Sequence, residues 1–110
     1  MKRGDMVTVA IAGDYGKPRP AVVVTSNIIL DAGHDAIALC QLTSTTNDLA
    51  LFRVVIEPTV NNGLKLRSDI MADKPISVPR RRIGSVIGRL DEADLQRLDK
   101  ALVFALGLQD

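Results

Sequence analysis

The sequence predicts a mainly β domain, a small and strongly bent sheet or partly open barrel, closed by one C-terminal helix. Three observations carry that expectation. Five or more short β-branched runs recur at roughly ten-residue intervals, the spacing of small sheets and barrels. Sustained helical spacing of leucines occurs only after Leu90. The 110 residues suffice for a single modest core, so strands and helix must share it.

Met6–Ala12 (MVTVAIA) reads as the first strand, ended by Gly13-Asp14. A loop through Gly16 and Pro18 leads to Ala21–Ser26, whose almost wholly apolar run predicts a central strand. Asn27 to Asp35 reads as a polar-flanked connection around Gly33-His34. Ala36–Leu42 is the third strand, and Thr43 to Asp48 is a hydroxyl-rich loop. Phe52–Glu57 makes the fourth strand, halted by Pro58, and Asn61-Asn62-Gly63 is a turn. Leu64–Met71 is a short strand or irregular segment, and Pro75–Val78 is a separate extended piece stopped by Pro79. Two glycines within Ile83–Leu90 leave room for one short turn at most. The last element is the clearest: Asp91 suits an N-cap, with Glu92 and Asp94 in the first turn. Leu95, Leu98, Leu102 and Leu106 keep helical spacing up to Gly107, and its apolar end, including Phe104, is expected in the core.

Composition excludes several classes. Tyr15, Phe52 and Phe104 are the only aromatics, too few for a base-stacking platform. The formal net charge is +1, yet its distribution is uneven. Between Leu64 and Leu90 seven basic residues face only Asp69 and Asp73, a local +5, whereas the last twenty residues carry −3. The first stretch would attract phosphate and the tail would not. Cys40, alone in an apolar run, reads as a small core hydrophobe, and with His34 as the single histidine no zinc constellation exists. Met1–Asp5 runs straight into a strand, with no signal peptide, and no run approaches the roughly eighteen apolar residues of a membrane span. A soluble, cytoplasmic protein without cofactor or metal is expected.

One segment stands out for chemistry. In Gly16-Lys17-Pro18-Arg19-Pro20-Ala21-Val22-Val23 an arginine is locked between two prolines at the mouth of a strand. Pro20 pushes Arg19 into extended backbone, and Pro18 fixes its own φ just before it. A guanidinium on so stiff a stem suits an anion site, and equally a hairpin loop with a solvated arginine. Thr43, Ser44, Thr45 and Thr46 follow the third strand, whose end can lie beside the start of the second in a compact β fold. A cationic fork plus a hydroxyl makes a phosphate pocket; the same hydroxyls also suit local turn bonds. His34 has the pKa of a general acid or base but sits in a glycine-flanked, acidic loop without a second histidine. Arg80-Arg81-Arg82 resembles a phosphate-tracking patch, although three consecutive residues cannot all face one way on a strand. Nucleophile elbows, P-loops and dinucleotide motifs are absent.

Taken together, these motifs resemble the MazF/PemK family of toxin endoribonucleases from type II toxin–antitoxin systems. The matches are Arg3-Gly4-Asp5, Gly16 through Val24, Leu42-Thr43-Ser44, Gly63-Leu64, Ser68-Asp69-Ile70, Arg82-Ile83-Gly84 and Ile87-Gly88-Arg89-Leu90-Asp91, in order and with matching gaps. The resemblance implies one toxin domain over residues 1–110, with an SH3-like small β-barrel of the CcdB/MazF/PemK type. It implies a homodimer that meets single-stranded RNA and a cognate antitoxin, and cleaves the RNA without a metal. Arg19 and Thr43 map onto the family's core catalytic residues, with Lys17 and Ser44 beside them as RNA contacts. The expected reaction is attack of a 2′-hydroxyl on the adjacent phosphate, leaving a 2′,3′-cyclic phosphate and a 5′-hydroxyl.

One departure is clear. Where many members carry an Ile-Arg-Thr-(Val/Ile)-Asp segment, this chain has Pro75-Ile76-Ser77-Val78-Pro79, without that arginine and acid. Ser77 keeps the hydroxyl, Lys74 or Arg80 is the expected substitute for the lost charge, and Lys74, Ser77, Arg80 and Arg81 are expected RNA contacts. Two other readings fit the same fold: a CcdB-like poison of DNA gyrase, and a non-catalytic barrel that binds RNA or peptide.

Overall fold

The structure, a computed structural model, describes residues 1–11, 17–47 and 51–109. The ends of three expected features, Gly13-Asp14, Gly16 and Asp48, lie outside the described residues, as does Tyr15. The elements run β1 (Asp5–Val9), β2 (Arg19–Val23), α1 (Asn27–Asp31), β3 (Ala36–Thr43), β4 (Arg53–Ile56), β5 (Ser68–Pro79), a 3₁₀ turn (Arg80–Arg82), β6 (Ile83–Arg89) and α2 (Glu92–Leu106). The strands form one antiparallel sheet in the order β4-β5-β3-β2-β1-β6.

Alternation along the strands feeds two cores. Met6, Val22, Cys40, Leu42, Val54, Ile56 and Ile70 point to the face covered by α2, whose Leu95, Leu98, Ala101 and Leu102 are buried there. Val7, Val9, Ala21, Val23, Ile37 and Leu39 point to the other face, where Leu30 of α1 and Val78 close over them. The helix ends are chemically defined. Asp91 accepts from Asp94 N at 2.8 Å, and Gly107 takes a left-handed φ of 66° where the chain leaves α2.

Four expectations change. Asn27–Asp31 is a short helix, capped by Ser26, whose Oγ accepts from Ile29 N at 3.3 Å. Leu64–Met71 and Pro75–Val78 are not separate pieces, because β5 is continuous from Ser68 to Pro79. Its first residues pair with both β4 and β3, whereas Pro75 to Pro79 pair with β3 alone. Pro75 and Pro79 share one parity on that half, so the missing N–H groups fall on the side without a partner strand. Between the halves, one residue of β3 (Gln41) faces four of β5 (Met71 to Lys74), an irregularity that bends the sheet. Phe104 and Leu106 are exposed and not in the core.

The fourth change is the largest: Ile83–Arg89 is a strand, not a turn. Its glycines answer to neighbours across the sheet and not to a bend. A Cβ on Gly88 would fall inside contact distance of the Asn61 and Asn62 backbone, and one on Gly84 would lie 2.6 Å from Thr8 Oγ1. Asn62 builds the facing turn: its Oδ1 accepts from Thr59 N and Leu64 N, both at 3.0 Å, and its Nδ2 donates to Glu57 O at 2.9 Å. Gly63 follows with φ 71°, and Arg89 N donates to Asn61 O at 2.7 Å. Gly88→Ala is therefore expected to destabilise the fold by about 2 kcal/mol or more. Thermal unfolding followed by circular dichroism should show a Tm lowered by roughly 8 °C or more.

Candidate active site

The register of β2 against β3 determines what meets at the strand ends. Ala21 pairs with Gln41, Val22 with Cys40 and Val23 with Leu39. Continued by two residues, that register sets Arg19 opposite Thr43, with both side chains on the face of Ala21 and Val23. α1 and Val78 seal this face at one end. At the other it opens into a cleft of about 840 Å³, lined among others by Lys17, Arg19, Gln41, Thr43, Ser44 and Met71. That volume lies in the roughly 300–1,000 Å³ range of small-ligand sites.

Electrostatically the cleft is one-sided. Lys17, Arg19 and Lys65 supply three cations, and its described lining holds no carboxylate. Leu64, Leu66, Met71 and Ile87 add apolar surface beside them. Thr43 Oγ1 accepts from Thr45 N at 3.2 Å, so the local turn bond expected of this hydroxyl is present. That bond uses a lone pair and leaves the O–H able to donate to an anion. The loop is anchored from beneath by Asp69, which pairs with Thr43 across the sheet and is fully buried. Its Oδ2 accepts from Asn47 N at 2.7 Å.

Of the residues expected from sequence, Lys17, Arg19, Thr43 and Ser44 come together in this cleft. Lys74, Ser77, Arg80 and Arg81 do not line it. Lys74 and Ser77 are exposed on β5, and Arg81 is exposed in the 3₁₀ turn. Arg80 is tied to the end of α1: its Nη2 donates to His34 O at 2.9 Å and Leu30 O at 3.2 Å, and its backbone N to Asp35 O at 2.8 Å. His34 itself is exposed in that turn and does not line the cleft. Lys65, Gln41 and Asp69 were not singled out by sequence as site residues. Lys65 is foreshadowed only by the basic stretch it belongs to. A second hollow of about 280 Å³ against α2 includes Arg53, Arg97 and Lys100, but Arg53 faces Asp73 at 3.3 Å and Arg97 faces Asp94 at 2.9 Å.

The family model described as PemK-like, MazF-like toxin of type II toxin–antitoxin systems matches residues 2–106. The chain belongs to this toxin family. It is 42% identical over 112 residues to a probable endoribonuclease MazF of Mycolicibacterium smegmatis, covering 98% of each protein. Its fold is that of the Mycobacterium tuberculosis toxin MazF-mt6, with a TM-score of 0.81 at 22% identity over 96% of this chain and 99% of that one. An endoribonuclease from a mycobacterial species, solved in complex with its cognate antitoxin, superposes with a TM-score of 0.82 at 22% identity over 100% of this chain and 98% of that one. The small MazF-type barrel expected from sequence is therefore the observed fold. No helix among the described residues is long and apolar enough to cross a membrane.

In this MazF-like chain two groups are accounted for by structure and not by chemistry. Burial raises the Cys40 thiol from an ordinary 9.0 to about 11, with Arg3 opposing and Asp73 adding to the shift. The folded protein thus keeps Cys40 neutral where the unfolded chain ionises, and stability falls as pH rises from about 9 to 11. Native protein at pH 8 should leave a thiol reagent unconsumed, with one equivalent reacting once denaturant unfolds it. Removing the Arg80 clamp by Arg80→Ala should cost about 1–2 kcal/mol, read as a lower urea midpoint, with RNA cleavage retained.

Proposed function

We propose that this MazF-like endoribonuclease cuts single-stranded RNA, mRNA included, at a short recognised sequence and without a metal ion. The observation that carries the reading is the cleft where Arg19 stands across from Thr43 among cations. A polyanion would enter such a groove by charge, and Lys17 and Lys65 suit flanking phosphates. Ser44 adds a hydroxyl at the rim.

The reaction is transesterification within the RNA. The O2′ atom bonds to phosphorus while the P–O5′ bond breaks, its electron pair leaving on O5′. The 2′-hydroxyl loses a proton and O5′ gains one, so the products are a 2′,3′-cyclic phosphate and a 5′-hydroxyl. Arg19 faces the non-bridging oxygens as negative charge builds in the pentacoordinate transition state. Thr43 donates its O–H to the same phosphate and holds it against the guanidinium. An arginine whose pKa exceeds about 12 contributes charge and position rather than a proton. The protein works as a homodimer in the cytoplasm and is restrained by a cognate antitoxin; the similar mycobacterial endoribonuclease, solved with its own antitoxin, supports the last of these.

The test is cleavage of a long, weakly structured RNA in EDTA by the wild type, Arg19→Ala and Thr43→Ala, with the new ends identified. Cuts at one short sequence bearing 5′-hydroxyl ends, and slowed roughly 10²–10³-fold in Arg19→Ala, are expected. RNA left intact by excess wild type would overturn the reading, and salt-sensitive binding without strand breaks would favour a binding module.

A further inference from the structure

We infer that Gln41 is a specificity-determining residue that reads the edge of a nucleobase next to the bond being cut. The inference rests on the ribonuclease reading above. Gln41 lies two residues before Thr43 on β3, so its side chain is on the same face and about 6.5 Å away along the strand. Across the sheet it pairs with Ala21, which is fully buried and lies two residues from Arg19. Met71 bounds the patch on the far side, being next to Ile70, which pairs with Leu42. Gln41, Thr43, Arg19 and Met71 all line the cleft.

The chemistry of the lining singles out this amide. A nucleobase held in a single-stranded site is recognised by stacking or by hydrogen bonds to its edge. Phe52 and Phe104, the described aromatics, do not line the cleft, and a hydrogen bond to a base edge is the contact its described polar lining offers. Most of the uncharged polar side chains are already engaged. Ser68 Oγ donates to Leu66 O at 2.9 Å, Thr8 Oγ1 accepts from Ser85 N at 3.0 Å, and Thr43 Oγ1 accepts from Thr45 N. The half-buried Gln41 carboxamide makes no hydrogen bond with any described residue. It offers an N–H donor beside a carbonyl acceptor, the pair that meets a base edge in two parallel bonds. Met71, polarisable and flexible, supplies the apolar surface for the base's flat side.

Mapping every 5′-hydroxyl end after cleavage of a sequence-diverse RNA tests this, with wild type beside Gln41→Met and Gln41→Glu. Gln41→Met keeps the volume and loses the amide. It should relax selectivity at one position of the recognised sequence by roughly ten- to a hundred-fold, the others holding. Gln41→Glu presents two acceptors and should shift that same position toward guanine, whose N1–H and N2–H both donate. Unchanged cleavage sites at unchanged relative rates in both variants would overturn the inference while leaving the ribonuclease reading intact. So would folded variants, checked by circular dichroism, that lose turnover equally at every sequence, since that is the behaviour of cleavage machinery. Should the variants not fold, wild type can be assayed on RNA lacking one exocyclic group of the selected base, where a rate unchanged at every position would overturn it. Wild type that leaves RNA intact fails the underlying reading instead.

Discussion

The pairing of β2 with β3 is the constraint on which the site depends. Ala21, Val22 and Val23 are fully buried, with Val22 feeding the core under α2 and its two neighbours the core under α1. A slip of one residue would exchange these faces and carry Arg19 to the opposite side from Thr43. Two hydrophobic clusters thus hold a polar pair in register. The stiff Pro18-Arg19-Pro20 stem extends what the buried strand has already aimed.

The rest of the framework keeps that strand pair in place. Arg3-Gly4-Asp5, which sequence likeness flags strongly, works away from the cleft. Asp5 accepts from Arg89 Nη1 and Lys2 N, both at 2.8 Å, while Gly4 donates to Val23 O and accepts from Leu90 N. Arg3 Nε donates to Val24 O at 3.0 Å, and its guanidinium meets Asp99 of α2 at 2.7 Å. One tripeptide therefore joins the end of β2, the end of β6 and the last helix. Asp69 plays a comparable part for the Thr43 loop.

Legibility in the sequence followed the range of the interactions involved. The ends of α2 were readable because Asp91 and Gly107 cap it through neighbours three or four residues away. The first four strands were readable from β-branched runs, with boundaries shifted by at most three residues. β6 was not, because Gly84 and Gly88 report on Thr8 and Asn61, far away in sequence. The continuity of β5 depended on which side lacks a partner strand, which no local pattern encodes. Arg19 and Thr43 stood out through local stiffness and hydroxyl density. Arg80 looked the same as any phosphate-seeking arginine until the end of α1 was found against it. Gln41 had no signal at all, being one polar residue in an apolar strand.

The sheet does not close in chain order. β1 lies between β2 and β6, so Asp5 meets Arg89 across 84 positions, and the core under α2 needs Leu90, Leu95, Leu98, Ala101 and Leu102. Contacts of such separation form late, because loop closure is unfavourable until packing compensates for it. During synthesis the N-terminal strands emerge well before the strand and helix that complete them. A growing polypeptide therefore carries its reactive side chains for some time without the surface that aligns them. A chain cut short before Ile83 has Arg19 and Thr43 but not the site.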